Sequence, residues 1–128
     1  MGRPPSTPEE LFAGFPQGLA ICRAVERAVS TLGQVTVRVT RSQVAFRRQR
    51  GFAFVWRPGQ YVGSDVPAVL SIALPRPVDS PRFKEVVHPA ATVWMHHLEL
   101  HDAASVDEEV RAWLSEAFAA AGPATSSA

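Results

Sequence analysis

The order of apolar and polar residues predicts a helix, then a series of short strands, then a second helix. Apolar side chains recur at helical spacing over residues 17–32, after a helix-start signal at Thr7 and Pro8. A second helical stripe, opened by a capping box at residues 105–108, continues through residues 106–118. Between the two stripes, apolar residues alternate with polar ones, which is typical of half-buried strands. The pattern therefore predicts an α+β fold.

Five segments carry the strand pattern. They are residues 34–40, 43–48, 52–57, 67–74 and 92–101. Three prolines within seven residues exclude regular structure up to Arg82, and we expect a surface excursion as far as Ala91. Short strands joined by turns favour antiparallel pairing. The predicted architecture is a two-layer sandwich, with an N-terminal helix, a five-stranded antiparallel sheet and a C-terminal helix on the same face.

Length and composition fit one compact domain. The chain has 128 residues, of which 46% are apolar, and we expect a single domain over residues 7–122. Residues 1–6 are rich in Pro and Gly and are predicted to be loose, and residues 123–128 are predicted to be a disordered tail. The apolar runs are too short to span a membrane, and no secretory signal is visible at the N-terminus. We therefore expect a cytoplasmic protein.

The near-neutral charge hides an uneven distribution along the chain. The whole sequence has 13 Lys and Arg against 12 Asp and Glu. Residues 38–84 contain nine of the bases and only two acids, whereas residues 85–128 contain seven acids and one base. Such polarity can mark a surface for anions, or it can be neutralised internally when the chain folds. Both interpretations remain open at this point.

Two helices on one face of the sheet would leave the opposite face partly open. The residues predicted for this open face are Thr36, Arg38, Ala45, Arg47, Ala53, Val55, Arg57, Val69, Ser71, Ala73, Met95, His97 and Glu99. Small residues at the centre, with Arg and His around them, suit a shallow site for an anionic or planar ligand. A plain solvated outer face has the same pattern.

A proline-stiffened segment, residues 76–88, extends the candidate site. Its Arg82 and Lys84 are expected to lie beside the pair His96 and His97 of the last strand. The candidate ligand-binding residues are Arg38, Arg47, Arg57, Arg82, Lys84 and His97.

The hairpin at residues 41–57 raises a second possibility, a nucleic-acid surface. It carries five arginines interleaved with four aromatic residues, a combination that single-strand binding surfaces use. The phase of the alternation, however, turns most of these aromatic side chains toward the core.

A metal site or an enzyme is the third possibility. His97, Glu99 and His101 alternate along one strand and share a face, so they are weak candidate metal ligands, and His97 with Glu99 is a candidate acid–base pair. No nucleophile elbow, phosphate-binding glycine loop or HExxH motif is present in the sequence. The single cysteine, Cys22, is on the apolar side of its helix and excludes a disulfide framework. The sequence leaves catalysis open but favours a role without it, and it implies no cofactor.

Several segments resemble a bacterial family catalogued as domain of unknown function 5655. They are residues 37–46, 52–56, 80–87, the pair His96 and His97, and residues 107–114. The resemblance spans about residues 10–120 in the same order of segments, and related domains occur alone or attached to larger bacterial proteins. The layout is also similar to that of frataxin-like and other small sandwich proteins, as an analogy of fold.

Together these observations favour a binding or accessory module. We expect it to recognise a small anionic ligand or a protein partner through a basic sheet face and the 76–88 segment. Nucleic-acid binding by the 41–57 hairpin is the alternative, followed by an enzyme or metal site around His97 and Glu99. No membrane partner is expected.

Overall fold

A computed structural model of the chain describes residues 4–58 and 65–122. The elements in chain order are α1 (Pro8–Leu11), α2 (Pro16–Ser30), β1 (Thr36–Val39), β2 (Gln43–Arg47), β3 (Gly51–Trp56), β4 (Ala68–Leu74), β5 (Phe83–Ala90), β6 (Val93–Leu100), a 3₁₀ turn (Ala103–Ser105) and α3 (Glu108–Ala120). Residues 4–6 have no regular structure, and the predicted tail at residues 123–128 lies outside the described residues.

The strands form one antiparallel sheet with the order β1-β2-β3-β4-β6-β5. The predicted count of five strands is wrong, because residues 83–90 form β5, which pairs with β6. All residues of β5 after Phe83 are exposed, so the strand has no buried side to produce an alternating pattern. Pro89 is tolerated because β5 is an edge strand and its register shifts near that point.

The helix starts follow the predicted chemistry with one correction. Thr7 caps α1 by accepting a hydrogen bond from Glu10 N–H, and Pro8 occupies the first turn. A new helix, α2, begins at Pro16. The predicted start of the last helix at Ser105 is wrong, because the side chain of Asp107 caps α3 by accepting from Val110 N–H at 3.1 Å.

Both long helices pack on one face of the sheet, called here the inner face. Ile21, Val25 and Val29 of α2 and Val110, Leu114 and Ala117 of α3 form one buried cluster with inner-face residues of the strands. The strands that contribute most of the buried core residues are β2, β3, β4 and β6. This arrangement confirms the α+β class with helices at both ends of an antiparallel sheet.

The prediction for which side chains of β3 face the helices is wrong. Ala53 and Val55 are fully buried in the core and do not belong to the open face. The register shifts between Phe46 and Arg47, so β3 has one more residue than β2 at this point. Because of this irregularity, Phe52 and Ala53 are both buried, and the alternation reverses after Phe52. Phe54 and Trp56 therefore occupy the open face, where they are half-buried.

Candidate functional site

The open face carries opposite charges at its two ends. One row of side chains crosses the whole sheet, and its members in order are Arg38, Ala45, Phe54, Ser71, His97 and Glu85. Arg47 lies two residues from Ala45 on β2, and Glu99 lies two residues from His97 on β6. Within residues 4–58 and 65–122, Arg38, Arg47 and Glu85 form no ion pair.

A hydrogen-bonded group of three side chains, Trp56, Ser71 and His97, occupies the centre of this face. Trp56 Nε1–H donates to Ser71 Oγ at 2.8 Å, and Ser71 Oγ lies 2.6 Å from His97 Nδ1. The two rings meet edge to face with centroids 6.0 Å apart. Ser71 is only 3% exposed, so its hydroxyl bridges and orients the two rings and is not accessible as a nucleophile. The sequence pattern placed Ser71 on the open face but did not indicate this bridge.

The candidate residues on the open face are too far apart to hold one small anion. Neighbouring strands lie about 4.8 Å apart, so the four steps from β1 to β6 separate Arg38 from His97 by roughly 19 Å. Arg47, on β2, is three strand steps from His97. An extended ligand can reach all three residues, whereas a single carboxylate or phosphate cannot.

Arg82 lies away from the open face and is held by α3. Its Nη1 donates to both carboxylate oxygens of Asp107, at 3.0 and 3.1 Å, and to Glu109 at 2.9 Å, and its Nη2 donates to Ser105 O. Burial alone would raise the pKa of Asp107, but the hydrogen bond from Val110 and the pairing with Arg82 hold it below its usual value. Arg82 therefore fixes the start of β5 to α3.

The other residues that were expected to lie beside Arg82 also occupy separate places. His96 is fully buried on the inner face, where its Nε2 accepts from Val78 N–H at 2.9 Å. Lys84 is exposed on the edge strand β5, next to a register shift. Arg82, which is bound to Asp107 and Glu109, is therefore not brought together with His97 in one site.

Two arginines of the predicted nucleic-acid hairpin bind the end of α3. Arg48 Nη1 donates to Phe118 O at 3.1 Å, with its guanidinium 4.3 Å from the centre of the Phe118 ring. Arg50 Nη2 donates to Ala120 O at 2.5 Å. These contacts satisfy carbonyls that a helix leaves open at its C-terminus.

Arg57 lines a cleft between the start of α2 and the start of β4. Its Nη1 donates to Leu11 O at 2.6 Å, and its guanidinium lies 4.4 Å from the centre of the Phe15 ring. Its Nε is buried and has no hydrogen-bond partner in the described part of the chain. The cleft has a volume of about 320 Å³ and is lined by Gly14, Phe15, Pro16, Gln17, Gly18, Arg57, Asp65, Val66 and Pro67.

The same cleft contains the first turn of α2. The N–H groups of a helix's first turn have no acceptor within the helix, and Phe15 at the N-cap provides no side-chain oxygen for them. An added Cβ at Gly18 would lie 2.6 Å from the Phe12 ring and 2.9 Å from Pro67 O, so glycine is required for this close packing. A sequence signal for the site existed: the helix start at Phe15 and Pro16 lacks a capping Ser, Thr, Asp or Asn.

The cysteine is buried, and the histidines within the described ranges form no metal-binding cluster. Burial, with a smaller contribution from Glu26, raises the pKa of the Cys22 thiol to about 12. No group of three or more His, Cys, Asp or Glu side chains that could hold a metal ion occurs in the described ranges, so His97, Glu99 and His101 are not brought together as ligands. None of the helices described is long and apolar enough to cross a membrane.

Comparison with protein families gives a match that covers nearly the whole chain. The family model for a domain of unknown function, DUF5655, matches residues 9–121. The chain belongs to the DUF5655 family. The matched range of this DUF5655 domain contains every described helix and strand except the first residue of α1. No curated protein and no solved structure matches the chain.

Proposed function

We propose that the domain is a non-catalytic binding module for a small ligand with one oxyanion group, and that the ligand binds in the cleft beside Arg57. The observation that carries this proposal is the buried Nε of Arg57, which has no partner among residues 4–58 and 65–122. A buried donor without an acceptor costs about 1–3 kcal/mol, and a carboxylate or phosphate oxygen that reaches Nε after a small shift of the guanidinium would remove that cost. The hydrogen bond from Nη1 to Leu11 O holds the guanidinium in place before the ligand arrives.

The charges around the cleft favour a ligand that is not strongly anionic. Arg57 and the first turn of α2 attract an anion, but Asp65 also lines the cleft. We therefore expect a ligand that combines one oxyanion with a neutral or cationic part. Phe15, Pro16, Val66 and Pro67 provide an apolar wall for the rest of the molecule.

The direct test follows the Nε–H resonance of Arg57 by NMR while ligands are added. The probes are acetate, inorganic phosphate, leucine and ATP. We expect a saturable shift of this resonance with a monoanionic or zwitterionic carboxylate, and a weaker response to ATP because Asp65 repels its additional charges. The proposal fails if none of the four probes shifts the Arg57 Nε–H resonance.

Two variants separate loss of the site from loss of the fold. Arg57→Lys keeps a positive charge but removes Nε–H and the planar guanidinium, and we expect it to abolish the thermal stabilisation given by the bound ligand. Arg38→Ala removes an exposed arginine on the sheet face and should leave that stabilisation unchanged. Equal stabilisation of the wild type and Arg57→Lys would contradict the proposal.

Single-stranded nucleic acid on the open face is a second candidate function. It is favoured by Phe54 and Trp56 facing outward, opposite to their predicted orientation, together with Arg38 and Arg47 at the basic end of the face. Their spacing suits an extended chain of stacked bases and phosphates. We expect an oligo-dT probe to bind at low salt with an affinity that decreases as salt rises, and Phe54→Ala to weaken it. No binding of the probe at low salt would eliminate this candidate.

A further inference from the structure

The two edge strands of the sheet expose apolar side chains. Among the described residues, the large hydrophobic side chains that remain exposed are Phe15, Val37, Val86 and Val87. Three of these four lie on β1 or β5, the two edges of the sheet, and each of the three is 40% exposed. Exposed valines on an edge strand promote pairing with a further strand unless something covers them.

The two edges are complementary in both charge and apolar surface. On β1, Val37 pairs with Phe46 on the inner face, whereas Arg38 pairs with Ala45 on the open face. On β5, Val86 pairs with His96 on the inner face, whereas Glu85 pairs with His97 on the open face. One edge therefore presents valine and arginine, and the other presents valine and glutamate, on matching faces.

A single register aligns both pairs. Because every neighbouring pair in the six-stranded sheet is antiparallel, β1 and β5 run in opposite directions. A copy placed beside the first in the same orientation would thus put its β5 antiparallel to β1. If Arg38 is opposite Glu85 in that pairing, Val37 is opposite Val86, because antiparallel partners follow each other in reverse order. The position of either pair fixes that of the other.

The surface beside β1 has room for a second valine. A groove of about 190 Å³ lies between α2 and β1, and its apolar lining includes Val29, Val35, Val37 and Phe46. A valine opposite Val37 on the inner face would lie against this groove. Arg38 and Glu85 form no ion pair within residues 4–58 and 65–122, so both charges remain for a partner.

We propose that copies of this chain associate head to tail, with β1 of one copy paired to β5 of the next so that the sheet continues across the contact. The occupant of each edge is a second copy, because each edge carries the charge and the apolar side chain that the other edge requires. The contact is heterologous and leaves one free edge of each kind on every dimer. It goes beyond the proposed ligand cleft, which lies away from both edges.

The contact is short, so the association is weak. β5 keeps one continuous register only over residues 85–87, with shifts on both sides, and Pro89 lies beyond them. β1 has four residues. An interface of this size belongs to the small, transient class, and we expect association in the range of about 10 μM to 1 mM protein.

Sedimentation velocity of the full chain across that concentration range tests the proposal. We expect the wild type to shift from monomer toward dimer and larger species. Arg38→Glu places two carboxylates opposite each other, and Glu85→Arg places two guanidinium groups opposite each other, so each single variant should weaken association about tenfold or more. The double variant Arg38→Glu/Glu85→Arg exchanges the charges of the two edges and should restore it.

Matched controls make the result specific. Arg27→Glu makes the same charge change on an exposed residue of α2 and should associate like the wild type. An equimolar mixture of the two single variants should associate more than either alone, because each then meets an opposite charge. A wild type that stays monomeric at 1 mM, or a double variant no better than the single variants, overturns the proposal.

Discussion

His96 is a fully buried histidine, and the hydrogen bond that its Nε2 accepts from Val78 N–H requires the neutral ring. Val78 N–H donates to Nε2, so this nitrogen carries no proton, and Nδ1 lies 2.9 Å from Trp94 O, to which it donates. Burial lowers the pKa of His96, and the hydrogen bond to Trp94 O opposes this effect only in part. Protonation of Nε2 would break the bond that holds the proline-rich segment after β4.

The first prediction concerns the pH dependence of stability. The pKa of His96 is lower in the folded chain than its unfolded value of about 6.5, so the unfolded chain binds the proton more tightly. The contribution of His96 is therefore fully present above about pH 6.5 and is lost as the pH falls below that value. As the pH falls from 8 to 5, the protonation of His96 should decrease the free energy of unfolding, measured with urea, by up to about 1.4 kcal/mol per pH unit.

Two substitutions isolate the effect of His96. His96→Gln should lower stability by about 1–3 kcal/mol at pH 8 because it leaves a buried partner unsatisfied, and it should flatten the decrease between pH 7 and 5. His101→Gln changes an exposed histidine and should keep the wild-type profile. An unchanged pH profile in His96→Gln would show that other groups control it.

Arginines that look alike in the sequence have different partners in the fold. Arg82 is fixed by Asp107 and Glu109, whereas Arg38 has an exposed side chain. Arg57 has a buried donor with no partner in the part of the chain that the structure describes. Composition and alternation predict which segment an arginine belongs to. They do not predict its partner, which comes from an element distant along the chain.

At the scale of elements, the turn between β2 and β3 serves as the C-terminal cap of α3. The last turn of α3 contains no basic residue of its own. Arg48 and Arg50 donate to Phe118 O and Ala120 O, and Gln49 N–H donates to Ala121 O at 3.0 Å. Cations at this end of a helix interact favourably with the helix dipole.

The second prediction is the loss of stability in Arg48→Ala. It removes one hydrogen bond to a terminal carbonyl and the cation–π contact with Phe118, and we expect a loss of about 1 kcal/mol in the free energy of unfolding. High salt should reduce the difference because the contact is exposed. Arg38→Ala should change stability by less than about 0.5 kcal/mol in the same urea measurement. Equal losses in the two variants would exclude a capping role for Arg48.

The elements that the pattern predicted well are those with one buried side. Both long helices and the strands β2, β4 and β6 have a clear apolar period, and the structure confirms them. β5 was missed because an exposed edge strand has no such period. The faces of β3 were assigned wrongly because an extra residue near Phe52 reverses the alternation, and only the pairing with β2 reveals it. The sequence did not predict the cleft beside Arg57, because its lining residues come from the start of α2 and the start of β4, which are far apart along the chain.

At the scale of the whole molecule, the uneven charge along the chain has two outcomes. Part of it is neutralised internally, since Arg76 pairs with Glu116 and Arg82 pairs with Asp107 and Glu109 of α3. Another part stays separated on the open face, with Arg38 and Arg47 at one end and Glu85 and Glu99 at the other. The two interpretations of the sequence therefore describe different parts of the same molecule.

The third prediction tests whether the helices and the sheet unfold as one unit. Cys22 is fully buried in the core formed by α2, α3 and the sheet, and its thiol pKa of about 12 keeps it unreactive at neutral pH. We expect a thiol reagent to label Cys22 only through global unfolding, with a free energy of opening equal to that from urea unfolding.

Leu114→Ala removes core packing on α3 and should lower the free energy of unfolding by about 2–5 kcal/mol. If residues 7–122 are one cooperative domain, Leu114→Ala should raise the labelling rate of Cys22 by the factor that corresponds to the variant's loss of global stability. If α2 opened independently of α3, labelling in Leu114→Ala would proceed at the wild-type rate.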